Sequence, residues 1–196
     1  MRDAVKNLIT LIGNEKITWL AKEMQERLER QHEENDALYD YTSVGKVLYG
    51  RANDKAELGE EEIGADWICL AEEFGEDDLR FETCGNPPYK FQDYILSHAV
   101  KLDPNVIIGM VYEHENEYFI GARYIAFKDG AICSSEERLD TYNYRVVSEY
   151  ELEEVAEELK ENESDDVLMS FDDYWSIQEQ QSKIALSDLK DLLKNK

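Results

Sequence analysis

Between Val106 and Leu139 three consecutive runs read as strands: Val106–Glu113 and Glu117–Phe127, which alternate like strands, and Ala131–Leu139, which follows a tight turn. A period of two places alternate side chains on opposite faces of a strand. The connections are a short polar turn and the tight-turn signal Lys128-Asp129-Gly130, so the runs pair as an antiparallel meander. Whatever else the chain does, it must fold around these three strands.

The preceding segments supply further elements. Val5–Ile12 reads as a strand ended by Gly13, and Asn14 caps a helix whose apolar stripe is Ile17, Leu20, Ala21, Met24 and Leu28, closed by polar residues 31–36. Tyr41–Glu62 has Val44, Val47 and Leu48 as its compact apolar group and receives no element. Trp67–Phe74 and Leu79–Cys84 read as a hairpin turning at residues 75–78. Pro87-Pro88 opens a helix carrying Phe91, Tyr94, Ile95 and His98, ended by Asp103-Pro104. Beyond Val147, Ser148 and Glu151 form a capping-box signature before Leu152, Val155, Ala156 and Leu159; a last helix over Tyr174–Leu193 carries Ile184, Leu189, Leu192 and Leu193. The order strand, helix, two strands, helix, strand predicts an α+β fold: a ferredoxin-like sandwich with an antiparallel sheet, extended by the meander and by C-terminal acidic helices. The expected division is a ferredoxin-like domain over residues 1–146 and an acidic helical extension over 147–196.

Charge narrows the function. The formal net charge is −24, yet 42% hydrophobic and 11% aromatic residues are too many for a disordered acidic chain. This balance opposes direct binding to DNA, RNA or an anionic membrane unless a cation or a very local basic patch intervenes, and the expected partner is basic. The excess is uneven: residues 61–100 and 147–196 carry −8 and −10. The opening residues MRDAVKNLITLIGNEK support neither a signal peptide nor a spanning helix, so the expected location is the cytoplasm.

Motifs for catalysis are missing. Gly45, Gly50 and Gly59 are too far apart for a phosphate loop, and His32, His98 and His114 are scattered. Cys69, Cys84 and Cys133 lack paired spacing and read as reduced packing residues. Glu113, His114, Glu115 and Glu117 could approach a divalent metal only if the turn gathered them; on a strand His114 points away from the three glutamates, so they read as a solvated hairpin turn. No catalytic residue, metal or cofactor is assigned. Tyr142, Tyr144 and Tyr150 read as strand packing with surface hydroxyls, or as aromatics flanking an acidic interface.

The helix after Ser148 presents an almost continuous carboxylate face. The pairs 149/153, 153/157, 154/158 and 157/161 are like charges one turn apart. Together they cost about 1–2 kcal/mol at low salt, which a basic partner would relieve. Duplex DNA carries one charge per about 1.7 Å, so a charge of −24 corresponds to about 12 base pairs. The candidate partner-binding residues are Glu72, Glu73, Glu76, Asp77, Asp78, Glu149, Glu153, Glu154, Glu157, Glu158, Glu161, Asp165, Asp166, Asp172 and Asp173.

Five segments stand in order along the chain: residues 7–13, Gly64-Ala65-Asp66-Trp67, residues 81–88 with the Pro87-Pro88 pair, Tyr112-Glu113-His114-Glu115, and Phe119-Ile120-Gly121. Over roughly residues 4–130 this pattern resembles a family of largely uncharacterised phage and plasmid proteins with a ferredoxin-like domain. Gly85 stands where that family has a tryptophan before the proline pair. The resemblance implies a fold and a mobile-element origin, and no reaction. Joined to the charge, it leads to the expectation of a phage-encoded nucleic-acid mimic that fills the cationic groove of a basic nucleic-acid-binding protein, such as a host defence nuclease or CRISPR effector. A solubilising acidic surface, a small metal-dependent enzyme and a phage structural or assembly protein are the competing expectations.

Overall fold

The computed structural model describes residues 4–34, 68–70, 79–114 and 119–194. The fold is mixed α/β. Strands β1 (Ala4–Ile12), β2 (Ile68–Leu70), β3 (Leu79–Cys84), β4 (Ile107–His114), β5 (Phe119–Lys128) and β6 (Ala131–Asp140) form one six-stranded sheet in the order β2-β3-β1-β4-β5-β6. Every neighbouring pair is antiparallel. The meander is present as β4, β5 and β6, and Asp129 and Gly130 turn its second hairpin with φ of 52° and 86°. Positive φ at both central residues matches the twist of the flanking strands, which is why Asp-Gly serves there.

Alternation along the strands divides the core in two. Helices α1 (Glu15–Glu34) and α2 (Tyr89–Ala99) cover one face, where Ile17, Met24, Phe91, Ile95 and Leu96 pack on Val5, Ile9, Ile108, Met110 and Ile125. Each such buried side chain contributes about 1.5–3 kcal/mol relative to exposure. The α2 stripe differs from the expected one: Gln92, Leu96 and Ala99 join Phe91 and Ile95 inside, while His98 is exposed and stacks on Tyr94.

One carboxylate joins the two helical connections. Asp103 is buried, and its Oδ2 accepts the Asn14 N–H at 2.8 Å while Oδ1 accepts the Asn105 N–H at 2.9 Å. The Asn14 side chain in turn accepts the Lys16 N–H at 2.9 Å, capping α1. Asp103→Ala is expected to lower stability by about 3 kcal/mol in urea unfolding, because charge-assisted bonds vanish and backbone donors are orphaned. Asp103→Asn, which keeps an acceptor, should lose less.

The C-terminal segment is more than helical. Strands β7 (Tyr144–Val147) and β8 (Val167–Ser170) pair in parallel, with α3 (Leu152–Glu161) as the crossover between them. Val155 and Leu159 are its buried residues. Helix α4 (Phe171–Lys194) lies across the second face of the large sheet, where Ala185 and Leu189 pack on Ile107, Ala122, Tyr124 and Ala126. Its buried stripe is Tyr174, Gln181, Ala185 and Leu189; of the apolar residues noted in the sequence, Ile184 and Leu192 are exposed. Among the described residues, no helix is long and apolar enough to cross a membrane.

Candidate functional site

Of the expected partner-binding residues, Glu72, Glu73, Glu76, Asp77 and Asp78 lie outside the described residues. The others are all exposed. Helix α3 turns its apolar side inward, which leaves Glu153, Glu154, Glu157, Glu158 and Glu161 on solvent. Glu149 stands in the turn before the helix, so the 149/153 pair is not helical. Three like-charge pairs remain within α3, costing about 0.6–1.5 kcal/mol. Glu153 and Glu154 occupy the first turn, where the positive helix end favours them. Arg145 on β7 binds Glu158 through two bonds of 3.2 and 3.1 Å, a pairing that spans 13 residues and leaves no local sequence signal. In the Ser148–Glu151 turn, the Glu151 carboxylate accepts the Ser148 hydroxyl at 2.5 Å and its N–H at 3.2 Å. These bonds hold the Glu151 carboxyl below its ordinary range.

The acidic tract continues past the helix. Ser164 N–H reaches the Leu159 carbonyl at 3.0 Å and Glu163 N–H reaches that of Lys160 at 3.3 Å, the closing pattern of a helix whose next residue is left-handed. That residue is Glu163, with φ of 50°. Glycine is the usual occupant, so Glu163→Gly is expected to raise stability by about 1 kcal/mol in chemical denaturation. Asp165 and Asp166 follow, then Asp172 and Asp173 in the first turn of α4. Asp173 is engaged as a cap partner: its N–H donates to Ser170 Oγ at 3.0 Å, and that hydroxyl donates back to Oδ2 at 2.8 Å. Between residues 148 and 173 stand twelve carboxylates, all exposed, and Lys160 is the single cation of that stretch.

Of Glu113, His114, Glu115 and Glu117, the first two are described. Glu113 reaches towards Lys6 at 3.8 Å, whereas His114 is buried against the Phe119 ring, with centroids 5.1 Å apart. Glu115 and Glu117 lie outside the described residues, among which no cluster could hold a metal ion. Cys133 is a free thiol packed against the α4 cluster.

A second polar group has no counterpart in the sequence reading. The hydroxyls of Tyr89, at the start of α2, and of buried Tyr112, on β4, both donate to Glu136 Oε1 on β6. They stand 3.3 Å from each other. Arg123 lies 5.0 Å over the Tyr89 ring and donates to Gln92 at 2.9 Å and Asp93 at 3.0 Å. Arg138 lies 4.0 Å over the Phe119 ring and binds Asp140 at 2.9 Å. Burial, then the bond to Glu136, pushes the Tyr89 phenol up to about 12 from an ordinary 10.0; the same causes push Tyr112 up as well. A raised folded pKa gives stability that is full below the unfolded value and lost as pH rises through the folded one. Unfolding midpoints are therefore expected to fall between pH 10 and about 12, and Tyr89→Phe should weaken that fall.

Comparison of the chain with protein-family models, with curated proteins and with solved structures finds no match.

Proposed function

We propose that the protein is an acidic inhibitor of phage origin that occupies the cationic groove of a nucleic-acid-binding protein, of the kind found in defence nucleases and CRISPR effectors. The observation that carries this reading is the set of twelve exposed carboxylates, with Lys160 as the single cation among them, from the turn before α3 through the loop after it to the start of α4. Five of them, from Glu153 to Glu161, lie along about 12 Å of helix, or one per about 3 Å. A single polynucleotide strand carries one charge per about 3.4 Å, so the carboxylate spacing matches that of phosphates before the Lys160 charge and the Arg145–Glu158 pair are set against it. Two features favour a working surface over a merely solubilising one. The like-charge pairs work against α3, and Glu163 keeps a carboxylate in a conformation that glycine would adopt at lower cost.

The framework that presents the tract is read as ferredoxin-like. In support of that reading, the strands β2-β3-β1-β4 are antiparallel neighbours in that order, with α1 and α2 on one face. The test uses a labelled oligonucleotide bound to such an effector, followed by fluorescence anisotropy as the protein is added. Displacement is expected at about 50 mM salt and should be largely lost above about 200 mM. Unchanged anisotropy at low salt would sink the proposal.

A further inference from the structure

The open part of the large sheet holds a second site, independent of the acidic tract. Helices α1 and α2 cover β1, β3 and β4, but on β6 the same face presents Ser134, Glu136, Arg138 and Asp140 to solvent. Beneath this shelf two phenol hydroxyls converge on one point. Tyr112 is 1% exposed, and its hydroxyl reaches the shelf because Gly121, its cross-strand neighbour, has no side chain: a Cβ there would stand 2.5 Å from Tyr112 Oη. Tyr89 brings the second hydroxyl from the start of α2, where Arg123 fixes its ring.

Two convergent donors flanked by Arg123 and Arg138 make a seat for one oxygen of an anion. The occupant is Glu136 Oε1, from an exposed side chain on a strand at the end of the sheet order. We propose that the Tyr89 and Tyr112 hydroxyls form a carboxylate-binding cradle that Glu136 fills as an internal ligand, and that a small external monocarboxylate takes the seat when this side chain is withdrawn. The class follows from the occupant. A planar carboxylate places one oxygen between the hydroxyls and the other outward, whereas a phosphate dianion would add a second charge beside Asp93 and Asp140. Filling the seat moves no covalent bond and needs no proton transfer, since both phenols remain donors.

The test is rescue of Glu136→Ala by acetate, read as the thermal midpoint of the full chain. Phosphate and chloride at matched ionic strength serve as the comparison arms. At ten times its dissociation constant, acetate is expected to raise the midpoint of Glu136→Ala by about 3–6 °C. It should leave wild type and Glu136→Gln, whose side-chain oxygen still fills the cradle, unmoved. The double variant Tyr89→Phe/Glu136→Ala, lacking one donor, should lose most of the acetate effect. If Glu136→Ala does not fold in chloride, recovery of its folded signal in acetate supports the cradle. Failure to recover overturns it, as does a midpoint shift equal in acetate and chloride, or equal shifts in Glu136→Ala and Glu136→Gln. A larger shift with phosphate than with acetate rejects the carboxylate assignment.

Discussion

Gly121→Ala is expected to lower the stability of the protein by about 3–5 kcal/mol, the largest loss of any single methyl group added to the central sheet. Its origin is a pair of cross-strand contacts between glycine and tyrosine on β4 and β5. Tyr112 faces Gly121 on the side covered by α2, and Tyr124 faces Gly109 on the side covered by α4. In each pair the ring lies over the glycine, where a strand would otherwise leave bare backbone. A Cβ on Gly121 would lie 2.5 Å from Tyr112 Oη and 2.7 Å from the Glu137 carbonyl oxygen. The tyrosine can yield only by leaving Glu136, and the carbonyl is backbone of the adjoining strand. Overpacking costs about 1–3 kcal/mol and a buried hydroxyl without its acceptor about 1–3 more. Domains of this size keep only about 5–15 kcal/mol in total, so urea denaturation should show a markedly lower midpoint. Gly109→Ala makes a useful contrast. Its Cβ would meet the Tyr124 ring at 2.4 Å, and its three nearest atoms all belong to that side chain, so its loss should be smaller. Equal stability of Gly121→Ala and wild type would show that β6 shifts freely.

The same sheet shows what could be read from the sequence. The meander was legible because strand alternation is local and the Asp129-Gly130 turn names its own geometry. The stripe of α4 was not, because it does not consist of the strongest hydrophobes. Ala185 is inside because it approaches Ala122 and Ala126, and Gln181 is inside as well, whereas Ile184 and Leu192 fall on the outer side. Close approach selects small residues, which a search for large apolar ones passes over. Strand β8 is four residues long between Asp166 and the start of α4, too short for a period of two to stand out. The acidic face of α3 was legible from helical spacing alone, but the long-range cation that pairs with Glu158, Arg145, was not. The cluster of Tyr89, Tyr112 and Glu136 draws on three elements and exists only through strand register. No spacing within the chain predicts it.

Because the α3 carboxylates are local, exposed and scarcely used by the fold, they can be removed with little structural consequence. The variant Glu153→Gln/Glu154→Gln/Glu157→Gln/Glu161→Gln leaves Glu158, which holds Arg145, in place. It relieves all three like-charge pairs, worth about 0.6–1.5 kcal/mol, and gives up the favourable charges of the first turn, worth about 0.3–1 kcal/mol each. These nearly cancel, so stability should change by less than about 1 kcal/mol. Binding to a cationic groove should change far more. Four lost contacts at about 1 kcal/mol each correspond to roughly a 10³-fold weaker complex. The salt dependence should flatten too, since each phosphate-like contact contributes about 0.7–0.9 to the slope of log K against log salt. Lys160→Gln, which removes the single cation of the tract, should move affinity the other way. Titration calorimetry against a cationic nucleic-acid-binding protein at two salt concentrations reads both quantities. A surface that serves only solubility would leave affinity and slope unchanged in all three proteins, because nothing would be engaging α3.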